Sequence, residues 1–153
     1  MPTVTLNLYD KYREGNFDGN PVNTETPGGN GIKAAVVTGV YTLDQNLHDF
    51  FNDVSANEVS GTGYTAGGNV LANGVVTVSG AGLVTVDLDD PATWTQNAGG
   101  FSNGRRVIIY HDTGVTTTSR LIAVSDDFGA DKGNVDGDFT VTLNAAGLFT
   151  SAR

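Results

Sequence analysis

A chain of 153 residues with 39% apolar and 16% charged side chains suffices for a single self-sufficient domain, which at this size removes roughly 70% of its unfolded surface from water. With no cysteine, neither a disulfide framework nor a thiolate metal site exists, and a net charge of −9 repels nucleic acid and anionic lipid, since the Arg105-Arg106 pair is too small a basic patch to reverse it. No stretch reaches the roughly 18 to 20 apolar residues of a membrane span. The opening Met-Pro-Thr-Val-Thr-Leu-Asn-Leu lacks a basic region followed by an apolar run, so synthesis in the cytoplasm without a secretory signal is expected.

Twenty-one glycines against four prolines, with many Asn, Asp and Thr, predict short strands joined by tight turns. In chain order, Val4, Leu6 and Leu8 alternate with polar residues and predict a half-buried strand over Thr3 to Tyr9. Residues 11–31 hold two prolines and five glycines, and are expected as an arm reaching a partner or an unstructured connection. The chain thus divides into an N-terminal strand with an extended arm, 1–31, and one β domain, 32–153.

Ile32 to Tyr41 is a nearly continuous apolar run of strand length, the pattern of a strand buried on both faces. Thr42 with Gln45 forms a capping-box pattern, and Leu47, Phe50, Phe51 and Val54 follow at spacings of three and four, which predicts one short α-helix over residues 44–54. Strands follow at Val70 to Leu71, Val75 to Val78 and Leu83 to Leu88, parted by Asn73-Gly74 and Gly80-Ala81-Gly82 as in hairpins. Pro91 to Gln96 is a short extended segment with the single Trp94, Arg105 to His111 and Arg120 to Ser125 bracket a polar loop as another hairpin, and Phe139 to Leu143 is a final alternating strand. The fold class is therefore all-β, mainly antiparallel, sandwich-like or barrel-like, with that one helix.

Candidate chemistry is sparse. His48, beside Asp49 and Asp53, and His111, beside Asp112, are the possible general bases, but no nucleophile motif and no histidine pair at metal-binding spacing accompanies them. Gly61-x-Gly63-x-x-Ala66 matches a dinucleotide fingerprint loosely, yet a strand pattern follows where the fingerprint needs a helix, so these glycines are expected to let the backbone pack closely or turn sharply. Asp127-Phe128-Gly129 spells a kinase triplet without its companions. Residues 126–138 carry five aspartates and Asn134, ligands that suit calcium, but Lys132 stands at the first ligand position of an EF-hand loop and no Glu follows; a solvated acidic turn is expected. Glu58 and Asp87 are the carboxylate pair a glycan hydrolase would need. Tyr9, Tyr12, Phe17, Tyr41, Tyr64, Trp94, Phe101 and Tyr110 are core or interface aromatics, or a sugar-binding face. No catalytic, cofactor or metal site is assigned, and an enzyme is not expected.

Residues 32–71 carry a distinctive series: Tyr41-Thr42 with Asp44-Gln45, then His48 to Phe51, then Asn57 to Tyr64 and Gly67-Gly68. The series resembles a family of small structural proteins of tailed phages and prophages, and fainter matches run through Trp94, Tyr110, Asp127 to Gly129 and Ala145 to Phe149. The N-terminal 31 residues are longer and richer in turns than that family's pattern. The resemblance implies a virion protein without catalytic residues. A compact acidic β domain with an extended N-terminal segment fits capsid decoration: binding the major capsid protein on the particle surface, with trimers at local three-fold positions, so that shallow contacts add through multivalency. The alternative is a tail or fibre module that contacts host glycans.

Overall fold

The computed structural model describes residues 4–80, 82–144 and 147–151. Thr3 of the first predicted strand, Ala81 of a predicted turn, and Ala145 and Ala146 lie outside them. The protein is all-β, built on two antiparallel sheets. The larger has the order β1 (Leu6–Leu8), β7 (Leu121–Ser125), β6 (Gly104–Asp112), β2 (Gly31–Thr38), β3 (Asn69–Leu71); the smaller has the order β4 (Val75–Val78), β5 (Val84–Asp87), β8 (Phe149–Ser151). Among the described residues both sheets are open, and neither closes on itself as a barrel.

The β-branched runs form the centre. Strand β2 pairs with β6 from Gly31 opposite Asp112 to Thr38 opposite Gly104, with an irregularity after Val37. Ala34 to Val37, Val107 to Tyr110 and Leu121 to Val124 are all buried, so these strands are covered on both faces, as their continuous apolar sequences require. The predicted pairing of residues 105–111 with 120–125 is present as β6 and β7. Tyr110 stacks on Phe51 at 4.0 Å between ring centres, while Trp94, Phe101 and Phe139 form a second aromatic group that Tyr64 joins from its edge.

The helix expected at 44–54 shrinks to α2, Asn52–Ser55. Asp44 Oδ1 accepts the N–H groups of Asn46 and Leu47, a local turn that competes with helix. The chain then pairs sideways: Phe50 bridges Arg120, Phe51 N–H reaches Ser119 O, and Asn52 N–H reaches Thr116 O. Leu47, counted as part of the apolar stripe, is 71% exposed. A different helix, α1 (Asp10–Gly15), occupies the segment expected to be loop. It buries Tyr12 edge-on against Phe149, with ring centres 5.7 Å apart.

Residues 16–31 lie against the same body. Glu25 accepts the Val76 N–H, His111 Nε2–H donates to Gly28 O, and Asn30 N–H donates to Asp112 O. Asn73-Gly74 does not make a hairpin; with φ of 52° at Asn73, it carries the chain from the larger sheet to the smaller. Phe139 to Leu143, expected as a final strand, forms none and pairs its main chain only at isolated points, Phe139 opposite Trp94 and Thr142, whose carbonyl takes the Val4 N–H.

Candidate functional site

Strand β2 is longer than its neighbour β3, and this mismatch explains the Gly-rich element. Strand β3 covers Ile32 to Ala34 only, which leaves the edge of β2 open from Val36 onward. Residues 57–64 close it: Val59 N–H donates to Val36 O, Thr38 N–H donates to Asn57 O, and Val36 N–H donates to the Tyr64 hydroxyl (3.0 Å). Tyr64 in turn donates to Glu58 Oε1 (2.6 Å), which also accepts the Gly67 N–H (2.6 Å), and Tyr110 donates to Gly67 O (2.9 Å). Gly61 and Gly68 serve the close approach of backbone to backbone, at Gly100-Phe101 and at Ala34-Ala35, whereas Gly63 serves a turn with a φ of 80°.

Burial raises the Glu58 carboxyl above its ordinary range, against the lowering effects of Tyr64, Gly67 and Lys33. The folded protein therefore binds the Glu58 proton more tightly than the unfolded chain does. This contribution to stability is fully present below the unfolded value and is lost as pH rises through the folded one. Glu58→Gln keeps an oxygen that accepts both bonds, so it is expected to stay folded and to lack this loss. Urea unfolding between about pH 4 and pH 7 should show wild type losing stability relative to Glu58→Gln as pH rises, and Glu58→Ala costing about 2 kcal/mol through its orphaned donors. Parallel pH curves for wild type and Glu58→Gln would contradict this.

The other candidate groups are spread apart and engaged in holding the fold. His48 Nδ1 bonds the Tyr41 hydroxyl (2.8 Å), which bonds Tyr9 (2.9 Å), while Asp53 accepts the Asp49 and Phe50 N–H groups. Asp112 serves Lys33 (2.7 Å), Asn30 and Gly114, and His111 faces Gly28 O instead. Burial works to raise Asp112, but those three donors together hold it below the usual carboxylate range. Asp87 sits exposed at the end of β5 and accepts the adjacent Leu88 N–H, whereas Glu58 belongs to the rim of the other sheet.

In the acidic segment, Asp127 binds the Arg105 guanidinium (2.7 and 3.0 Å) with Arg106 at 3.6 Å, so the basic pair is held against this turn. Asn134 is fully buried and ties three loops: its Oδ1 accepts the Phe101 N–H, and its Nδ2 donates to Thr95 O and Thr62 O. Among the described residues, no group of three or more His, Asp or Glu side chains converges as a metal cage.

Main-chain groups at one sheet edge are also unengaged among the described residues. The Tyr9 N–H donates to Ile122 O and Asp126 N–H donates to Thr5 O, so residues 5, 7 and 9 carry the ladder from β1 to β7, and Leu6 and Leu8 point their backbone groups away from it. At one end of this outer edge the Val4 N–H reaches Thr142 O. At the other, Gln45 closes the edge, its side chain donating to Leu8 O (3.2 Å) and its carbonyl accepting the Asp10 N–H. Between these ends, Leu6 N–H, Leu6 C=O and Leu8 N–H have no partner among the described residues.

The edge opens on a cleft of about 1190 Å³. Its far wall is the smaller sheet, including Val76, Val84, Val86 and edge strand β8, and its rim carries Phe17, whose ring is 92% exposed. Of the eight aromatic residues noted in the sequence, Phe17 is the exposed one; Tyr64 is half-buried and the rest are buried. Sequence reasoning missed this edge because main-chain groups carry no residue-type signal. No known family's sequence model matches the chain, and no curated protein or solved structure is significantly similar to it.

Proposed function

We propose that this protein is a structural component of a tailed-phage virion that decorates the capsid, binding the lattice of the major capsid protein and reinforcing it. The observation that carries this reading is the edge of β1, unpaired among the described residues and lying within an open cleft, while Glu58, His48, His111, Asp112, Asp127 and Asn134 are engaged in holding the fold. An unpaired strand edge is a template on which another extended polypeptide can add as a strand. The resemblance of residues 32–71 to virion proteins supports the location. The net charge of −9 favours a soluble, non-sticking surface until a complementary face is met.

A decoration protein needs no deep site. Modest contacts repeated by capsid symmetry add up through multivalency, and self-association as trimers at local three-fold positions fits that logic. The experiment that tests the reading is the position of the protein in purified particles by cryo-electron microscopy, with regularly spaced copies over the head as the expected result. Density confined to the tail would remove the capsid assignment in favour of a tail or fibre module.

A further inference from the structure

We infer that the cleft beside β1 takes an extended segment of a partner polypeptide, less acidic than this chain, which adds to the outer edge of β1 as a new strand. The inference rests on the reading that the protein works by binding another polypeptide, and it names the place and mode.

The chemistry of the edge selects the occupant. Leu6 N–H, Leu6 C=O and Leu8 N–H lie at strand spacing, and only another extended main chain offers acceptor, donor and acceptor at matching intervals. Thr142 and Gln45 close the two ends of the edge, so the open stretch has a fixed length of a few residues, roughly 10 to 17 Å at strand rise, and a fixed register. Natural edges are normally blunted by lysine, proline, a bulge or a covering segment. Strand β1, Leu-Asn-Leu, is blunted only by its shortness and carries no lysine, proline or bulge, whereas Glu25 takes the Val76 N–H at the edge of β4, and Ala72 O, just past β3, is taken by the Asp89 N–H.

The cleft walls suit an added strand. Strands β1 and β8 are edge strands of different sheets, and both line the cleft, so a segment laid along β1 has a second edge close by. Val84, Val86 and Leu148 give its alternate side chains an apolar surface.

Charge argues against a second copy of this chain as the occupant. The charged side chains lining the cleft are Asp10, Asp44 and Arg13, with Arg13 3.6 Å from Asp10, and a second copy would bring a further −9. Like charge opposes that approach and favours a neutral or basic partner.

The test uses the whole protein and two synthetic heptapeptides, Lys-Val-Thr-Val-Thr-Val-Lys and its counterpart with Glu at both ends. Amide hydrogen exchange of Leu6 and Leu8 is followed by NMR with peptide at up to about 1 mM. The lysine-flanked peptide is expected to slow both amides by about tenfold or more, and the glutamate-flanked peptide to need at least about tenfold higher concentration for the same protection.

Leu6→Pro deletes the outward N–H without touching the ladder to β7, a substitution edge strands tolerate, and should abolish protection of Leu8. Because the Leu6 side chain also packs on the core, Val84→Lys on the opposite wall serves as a second variant that leaves β1 whole, and it should abolish protection of both amides. No protection by the lysine-flanked peptide, or protection that survives both variants, overturns the inference. So does protection of Leu6 and Leu8 in the peptide-free protein that rises with its concentration, since the occupant would then be a second copy. Protection as expected in a protein that is absent from phage heads sustains the inference and removes the capsid assignment alone.

Discussion

Gly68→Ala is expected to cost at least about 3 kcal/mol, a large part of the roughly 5 to 15 kcal/mol that holds a domain of this kind together. Gly68 has a φ of 75° immediately before β3, a conformation that strains any other residue by about 1 to 3 kcal/mol. A methyl group there would also overlap the Ala34 carbonyl oxygen and crowd Ala35 Cα, both main-chain atoms of β2. Neither can yield without disturbing the pairing of β2 with β3 on one side and β6 on the other. Gly19→Ala is the control: its φ is 91°, but nothing lies within 4 Å of the added carbon, so only the conformational cost applies. Urea unfolding of the two variants should separate them clearly. Equal losses would contradict the close approach of the Gly-rich element to β2.

Asn134→Ala should cost about 2 to 4 kcal/mol. The alanine leaves the buried Phe101 N–H without its acceptor and the Thr95 and Thr62 carbonyls without their donor, and unmade bonds at buried groups carry the full cost of desolvation. These three loops support Tyr64, Trp94 and Phe101, so the loss should also appear as a change in tryptophan fluorescence of the native state. Asp136→Ala, on the exposed part of the same segment, should stay within about 0.5 kcal/mol of wild type. A calcium-binding role for the segment would give the opposite ranking, with calcium-dependent melting that Asp136→Ala removes.

The parts of the fold written in β-branched runs were legible. Ile32 to Thr38, Val107 to Tyr110 and Leu121 to Val124 can satisfy their side chains only between two covered faces, and they form the centre of the larger sheet. Helical spacing at Leu47, Phe50, Phe51 and Val54 misled, because the Asp44 turn and the pairing with residues 116–120 offered those backbone groups better partners than a helix would. Helix α1 was invisible for the reverse reason: at six residues it is too short to show a period, and its one deeply buried side chain, Tyr12, meets a strand more than 130 residues away.

The same contrast holds for the site. Asn134 stood out in the sequence as one oxygen ligand among carboxylates, yet its meaning lies in loops near residues 62, 95 and 101 that only the fold brings together. The glycines of residues 61–68 were legible as residues of close packing or sharp turns because a strand pattern, not a helix, follows them. The open edge of β1 was not, since alternation in Val4, Leu6 and Leu8 says that a strand forms and nothing about which of its edges finds a partner.

A cryo-electron microscopy difference map tests the proposed contact with the capsid lattice most directly. Particles assembled with and without the protein are reconstructed and subtracted. The predicted result is discrete density repeated over the head at equivalent lattice positions, with a strand of capsid protein lying along β1 where resolution permits. Heads whose maps are identical with and without the protein would contradict the account.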